Sequence, residues 1–142
     1  MLLDLNKDNF DKEISSTEPT LVDFWASWCA PCRAEMPAMQ SVYQDYAENG
    51  GQSNFTILAV NSTHQDNPSE AIAFTKSYGL SFPNLFDERG EVSNAYEVRA
   101  LPTSFFVDAN GIIQDVVIGG PMSEALLRIR IEELFKASEG NH

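Results

Sequence analysis

The spacing of apolar and polar positions changes several times along the chain, and each change marks an element. Thr20–Ala26 is almost continuously apolar and aromatic, which predicts a strand buried on both faces. From Cys29 to Ala47, residues Met36, Met39, Val42, Tyr43 and Tyr46 fall on one face at helical spacing. Pro37 lies inside that helix, where it removes one bond and crowds the carbonyl of Arg33, so a kink is expected. Phe55–Asn61 reads as a strand, Pro68–Tyr78 as a helix, Phe82–Phe86 as a short strand and Glu91–Tyr96 as a short helix. Thr103–Val107 and Ile112–Ile118 are strands joined by Asp108-Ala109-Asn110-Gly111, a hairpin signal because Asn and Gly tolerate positive φ. Ser123–Phe135 is an amphipathic helix with Ser123 as its N-cap. Upstream, Met1–Leu5 reads as a short strand and Asn6–Ile14 as a helix capped by Asn6. Gly50-Gly51 and Gln65–Pro68 read as loops, and residues 136–142 as a frayed tail. Alternating β and α units that end in one antiparallel hairpin predict an α/β fold, with a central mixed sheet flanked by helices on both faces.

With 142 residues and no linker-like stretch, one domain over 1–142 is expected. The 43% hydrophobic and 21% charged fractions are those of a globular chain and exclude wholesale disorder. Acidic residues outnumber basic ones 21 to 9, for a net charge of −12. Such a surface repels phosphate backbones and anionic lipid, so nucleic acid and membrane surfaces are not expected partners. No apolar run approaches the roughly 18 residues of a membrane-spanning helix. Met1–Leu5 is too short to be a signal peptide.

The two cysteines, Cys29 and Cys32, narrow the function. They bracket Ala30-Pro31 where a buried strand gives way to a helix, three residues apart and so within bridging distance. Unpaired backbone N–H groups and the positive end of the helix dipole favour a thiolate at the first cysteine. Pro31 suits a first turn, Trp28 and Ala26 supply an apolar rim, and Arg33 adds a positive charge. A loop of two residues restricts the unfolded chain little, so a merely stapling role is a poor account of this pair. A structural metal site needs about four ligands, and only His64 and acidic residues are at hand to complete one; no metal is expected. Two acids stand out. Asp23 interrupts the apolar strand, and Glu35 lies one turn beyond Cys32 on the same helical face, although an exposed position is the commoner fate of a helix Glu. His64 reads as a solvated loop histidine, and His142 as terminal. Gly119-Gly120 suits either a close approach of substrate backbone or a turn.

The segment Val22-Asp23-Phe24-Trp25-Ala26-Ser27-Trp28-Cys29-Ala30-Pro31-Cys32-Arg33 resembles the active-site segment of the thioredoxin superfamily. Leu101-Pro102-Thr103 before an apolar strand is similar to that family's cis-proline loop. Ala34-Glu35-Met36-Pro37, the strand and helix over Phe82–Tyr96, and Phe106-Val107-Asp108-Ala109-Asn110-Gly111 resemble its TlpA/ResA branch of extracytoplasmic, often membrane-tethered thiol–disulfide oxidoreductases. The resemblance spans about Leu3 to Phe135. It implies a thioredoxin-like fold with an extra strand–helix insertion before the cis-proline loop, a cis Leu101–Pro102 bond, and substrate contacts at Trp28, Ala30, Pro31, Leu101 and Pro102. It also implies Cys29 as nucleophile and Cys32 as the resolving thiol. Thioredoxins use an acid at the position of Asp23 for proton transfer, and the ResA-like branch one at the position of Glu35. This chain carries both, and we read Asp23 as the base and Glu35 as a tuning group.

The activity this implies is reduction or exchange of protein disulfides, without metal or organic cofactor, by electrons from an upstream thiol reductant. The partners are disulfide- or dithiol-containing proteins, among them apocytochrome thiols in organisms that make c-type cytochromes, and the acidic surface suits a basic partner patch. A monomer is expected, with a place outside the cytoplasm (its leader or anchor absent from this chain) favoured over the cytosol as the alternative. Two rivals are a thiol peroxidase of the same superfold and a non-catalytic binding module. Peroxiredoxin-like enzymes place a Thr three residues before the reactive Cys, where this chain has Ala26, and the intact Cys pair speaks against a mere binding module.

Overall fold

β1 (Thr20–Trp25) is the middle of the molecule, and none of its six residues reaches solvent. In the computed structural model, residues 9–10, 18–48 and 55–140 are described, without the side chains of 139 and 140. The expected strand at Met1–Leu5, the Asn6 cap, the Gly50-Gly51 loop and His142 lie outside the described residues. Of the expected first helix, Asn9 and Phe10 are described and helical. β1 pairs in parallel with β2 (Thr56–Asn61) and antiparallel with β4 (Thr103–Val107). β3 (Asn84–Phe86) joins β2 in parallel and β5 (Ile113–Ile118) joins β4 antiparallel, giving the order β3-β2-β1-β4-β5. This is the mixed sheet of the thioredoxin-like fold.

Alternation along β1 divides the core in two, because successive side chains leave a strand on opposite faces. Leu21 and Trp25 join a cluster with Cys29, Cys32, Met36 and Met39 of the helix that follows, and with Leu127 and Ile131 of the last helix. Val22 and Phe24 join Phe10, Leu58, Val60, Phe105 and Val107 on the other face. There Tyr96 meets Phe10 edge-on at 5.4 Å and Phe105 at 5.3 Å between ring centroids. Each such pair contributes about 0.5–1.5 kcal/mol beyond the area it buries.

The helices are α1 (Ala30–Tyr43), α2 (Pro68–Ser77), α3 (Glu91–Ala95) and α4 (Glu124–Gly140). Asn67 caps α2 through its side chain, and the Ser123 hydroxyl accepts the N–H of Leu126 at the start of α4, as expected for an N-cap. The strand–helix insertion is present as β3 and α3. β3 begins at Asn84 rather than Phe82, since Pro83 has no N–H to donate and offers only its carbonyl, to Ala59. The hairpin after β4 forms as the sequence predicts: Gly111 has φ 81° and its N–H donates to the Asp108 carbonyl at 3.0 Å. Two lengths differ from expectation. α1 gives way after Tyr43 to a π-helical turn, Gln44–Glu48, in which Tyr46 is placed against the rings of Phe55 and Phe135. At the other end, the tail expected to fray from 136 is helical through Gly140, and Ser138 Oγ accepts the N–H of Ala109 from the hairpin at 3.1 Å.

Candidate active site

Where β1 runs out, Ala26 to Trp28 form a turn and Cys29 becomes the N-cap of α1. Its sulfur accepts the N–H of Cys32 at 3.3 Å, so one of the orphan amides of the helix start is already aimed at it. Cys29 and Cys32 form a disulfide with Cα atoms 5.3 Å apart. Pro31 sits in the first turn, where no intrahelical partner for an N–H is lost. Cys32 is fully buried and Cys29 retains 3% exposure, so an incoming group reaches Cys29 first. Asp66 clamps the turn, accepting from Ser27 N–H at 2.7 Å, Ser27 Oγ–H at 2.6 Å and Asn61 Nδ2 at 2.9 Å. Partial burial pushes the Asp66 carboxyl up, but these donors and the Asn67 N–H outweigh it and hold it below the usual carboxylate range.

Both candidate acids are fully buried on the disulfide side of the sheet. The exposed position that most helix glutamates adopt does not apply to Glu35, which enters the space between α1 and the loop before α4. Its Oε2 accepts the N–H of Met122 at 2.9 Å. Asp23 lies opposite Ser104 in the β1–β4 register, and its Oδ1 accepts the Ser104 hydroxyl at 2.8 Å. Burial first, and then the charge of Glu35, push Asp23 well above the ordinary carboxylate range against the lowering effect of Ser104. Burial raises Glu35 as well, while the Met122 amide and a hydrogen bond with Asp23 draw it back.

The Leu101–Pro102 bond is cis, as the resemblance implies, and so is Gly120–Pro121. Gly119 N–H donates to the Pro102 carbonyl at 2.7 Å, which joins the two proline loops. A Cβ on Gly120 would lie 2.9 Å from Glu35 Oε2 and 3.0 Å from Pro102 Cγ. The close approach that Gly120 permits is therefore to Glu35 and Pro102, within the chain itself. Trp28 is 58% exposed, and its Nε1–H donates to the Gln65 carbonyl at 2.9 Å. It forms one wall of a groove of about 340 Å³ whose other lining residues are His64, Gln65, Val98, Arg99, Ala100 and Leu101. Ala30 is exposed and Pro31 half-buried at the helix start, while Leu101 is half-buried and Pro102 buried. His64 is exposed, as expected, but its ring packs against Gly90 and borders this groove.

Comparison with known proteins decides the family. A profile described as the AhpC/TSA family matches residues 4–116. The chain belongs to the AhpC/TSA family. It is 39% identical over 100 residues to thioredoxin-like protein YneN of Bacillus subtilis, covering 70% of this chain and 55% of YneN. Thiol-disulfide oxidoreductase ResA of Halalkalibacterium halodurans is 33% identical over 136 residues, or 96% of this chain and 73% of that one. The crystal structure of StoA from Bacillus subtilis matches with a TM-score of 0.69 at 30% identity, covering 80% of this chain and 82% of that one. Within the AhpC/TSA family, these likenesses make the chain a ResA-like member of the thioredoxin superfamily. It spans about half the length of several curated relatives it matches.

Four features of the site in this AhpC/TSA family member carry no plain signal in the sequence. Ser104 was signalled only as a polar residue in an apolar strand, and its pairing with Asp23 needs the register. The Met122 amide leaves no trace in residue type. Asp66 and the lining residue Arg99 come to the site from loops whose positions no periodicity fixes.

Proposed function

We propose that the chain is a thiol–disulfide oxidoreductase that reduces disulfides in client proteins. The observation that carries this reading is the Cys29–Cys32 disulfide at the start of α1, with the Cys29 sulfur already taking an amide hydrogen bond. Once an upstream thiol has reduced the pair, the same amide and the helix dipole stabilise Cys29 as thiolate. That thiolate attacks a client disulfide and forms a mixed disulfide. Cys32 loses its proton to the buried acids Asp23 and Glu35 and attacks Cys29, which expels the client as a thiol. The chemistry then needs no metal or organic cofactor. An extended client segment crosses Trp28, Ala30, Pro31, Leu101 and Pro102, with the Leu101 backbone free to pair with it as an added strand.

The direction follows from the residues between the cysteines: Ala30-Pro31 supplies no histidine to stabilise the thiolate further. A location outside the cytoplasm, and exported thiol or disulfide proteins as clients, agree with the ResA-like assignment. The test is equilibration with a glutathione or dithiothreitol buffer. A potential near that of thioredoxin, about −270 mV, supports a reductant, whereas one near −120 mV would mean an oxidant. The family description keeps a thiol peroxidase in view. Consumption of hydrogen peroxide by reduced Cys29 at rates far above those of free cysteine would favour it. Ala26 at the position of the peroxidase threonine argues against that outcome.

A further inference from the structure

The groove beside the disulfide is cationic in a chain that is not. It holds about 340 Å³ between Trp28 and the segment Val98–Leu101, and no Asp or Glu lines it. The protein as a whole carries a net charge of −12. Arg128 and Arg130, both on α4, are held by Asp45, Glu124 and Asp115. Arg99 is exposed and has no ion-pair partner among the described residues. Asp66, next to the lining residue Gln65, already accepts from Ser27 and Asn61, and Glu97 lies outside the lining. We propose that this groove receives an acidic side chain flanking the client cysteine, and that Arg99 is the residue that selects it. This rests on the oxidoreductase reading above and names the class of client that reading leaves open.

The groove begins where the client has to lie. Trp28 precedes Cys29 in the chain and Leu101 precedes the cis proline, so both walls also border the reactive sulfur's approach. The hydrogen bond from Trp28 Nε1–H to the Gln65 carbonyl holds the indole in place. At the other end the His64 ring sits on Gly90, the N-cap of α3, where a Cβ would come within 2.9 Å of it. The strand–helix insertion therefore shapes the groove as well. Walls fixed in advance leave little ordering entropy to oppose a bound side chain. The Arg99 guanidinium offers donors in a planar fork that matches a carboxylate, and a histidine keeps an N–H in either protonation state. Trp28, Val98 and Leu101 put low-dielectric surface beside such a pair, which strengthens it over a fully solvated one. At longer range the sign reverses, because the surface at large attracts basic partners. The client selected is then basic overall and carries an acid at one defined place beside its cysteine.

The test uses reduced protein and cysteine peptides blocked as 2-pyridyl disulfides, whose leaving group is uncharged. Release of 2-thiopyridone reports attack by Cys29 on the peptide sulfur. Matched peptides carry Glu, Gln or Lys at each position flanking the cysteine in turn. At one flanking position Glu should react about twofold to fivefold faster than Gln, and Lys more slowly than Gln. Arg99→Gln should bring the Glu-to-Gln rate ratio at that position to about one, and Arg99→Lys should keep part of it. A Glu preference equal at every position would mean long-range attraction only and would overturn the proposal. So would a ratio of one in the wild type, or a ratio that survives Arg99→Gln. An Arg99-dependent gain for glutathione disulfide with none for the peptides would give the groove to a small acidic thiol, and would overturn it too. Binding is read separately by NMR of the Trp28 indole N–H in the oxidised protein, with serine in place of the peptide cysteine. The Glu peptide should shift that resonance at lower concentration than the Gln peptide, and equal titrations would overturn the proposal. If no peptide is attacked faster than by free cysteine, the oxidoreductase reading fails, while this titration still decides the groove.

Discussion

The two faces of β1 are made by the same six residues and have opposite characters. On one face Val22 and Phe24 meet an apolar and aromatic cluster with Phe10, Leu58, Val60, Phe105 and Val107. On the other, Leu21 and Trp25 flank Asp23, and the packing includes a disulfide, a second buried acid and two carboxyl oxygens without a donor. The first face satisfies every requirement of a stable core. The second leaves charge unsolvated at the atoms where the chemistry is proposed. The difference teaches that this molecule separates stability from reactivity by the side of a strand, one residue at a time.

The largest expected effect is on the reactive face. Cys29→Ser should abolish client reduction, with a loss of at least about 10³-fold, because the remaining thiol, Cys32, is fully buried and out of reach of a client disulfide. Cys32→Ser should instead trap the client on Cys29, visible as an added mass removed by dithiothreitol. Equal activity in either variant would erase the contrast between the faces.

On the opposite face, Phe24→Ala should lower unfolding free energy by about 3–5 kcal/mol, since it removes ring contacts with Tyr96 and Phe105 and opens a cavity. Denaturant unfolding measures it, and the folded fraction should keep its rate of thiol exchange within about twofold. A large loss of rate in the folded protein would show that the two faces are coupled.

Asp23→Asn should have the reverse effect on stability. Burial raises both Asp23 and Glu35 in the folded chain above their unfolded values. Their contribution is therefore fully present below the ordinary carboxylate midpoint, about pH 4, and is lost as pH rises through the raised folded values. The amide does not titrate. Asp23→Asn should gain little near pH 4 and stabilise by about 1–3 kcal/mol at pH 8, the gain growing between those limits. Thermal melts of the oxidised proteins at a series of pH values test this, and a gain that did not change with pH would remove ionisation as its cause.

The aromatic character of the apolar face was legible because β1 reads as a strand buried on both sides, and Val22 and Phe24 leave little choice. The cysteines and the hairpin were equally plain, since Cys29-Ala30-Pro31-Cys32 and Asp108–Gly111 are local patterns whose geometry depends on few other residues. Glu35 was harder. Helical periodicity gives its face but not the loop that covers it, and Met122 reaches it from 87 positions away. The Asp23–Ser104 contact depends on which residues of β1 and β4 stand opposite each other, and neither strand carries a register mark of its own. The helix beyond Phe135 has no local signal for the same reason: Ser138 is held by a hairpin distant in sequence.

The smallest expected effect lies where the faces meet. Leu101 packs against both clusters, and beside it the groove under Trp28 carries Arg99 and His64 and no acidic side chain, in a chain of net charge −12. Arg99 is exposed and makes no ion pair with a described residue. A client segment with a Glu or Asp next to its cysteine should therefore gain locally from Arg99 despite the repulsion of the surface at large. One exposed pair contributes about 0.2–1 kcal/mol, so Arg99→Glu should lower kcat/KM for a Glu-bearing disulfide peptide by about threefold to tenfold once attraction becomes repulsion. The same variant should raise kcat/KM for the matched Lys peptide and leave the uncharged hydroxyethyl disulfide unchanged. Half-molar salt should shrink both shifts, because exposed charges are screened within a few ångströms there. An equal loss for all three substrates would place Arg99 in the structure of the Leu101–Pro102 loop instead of in the choice of client.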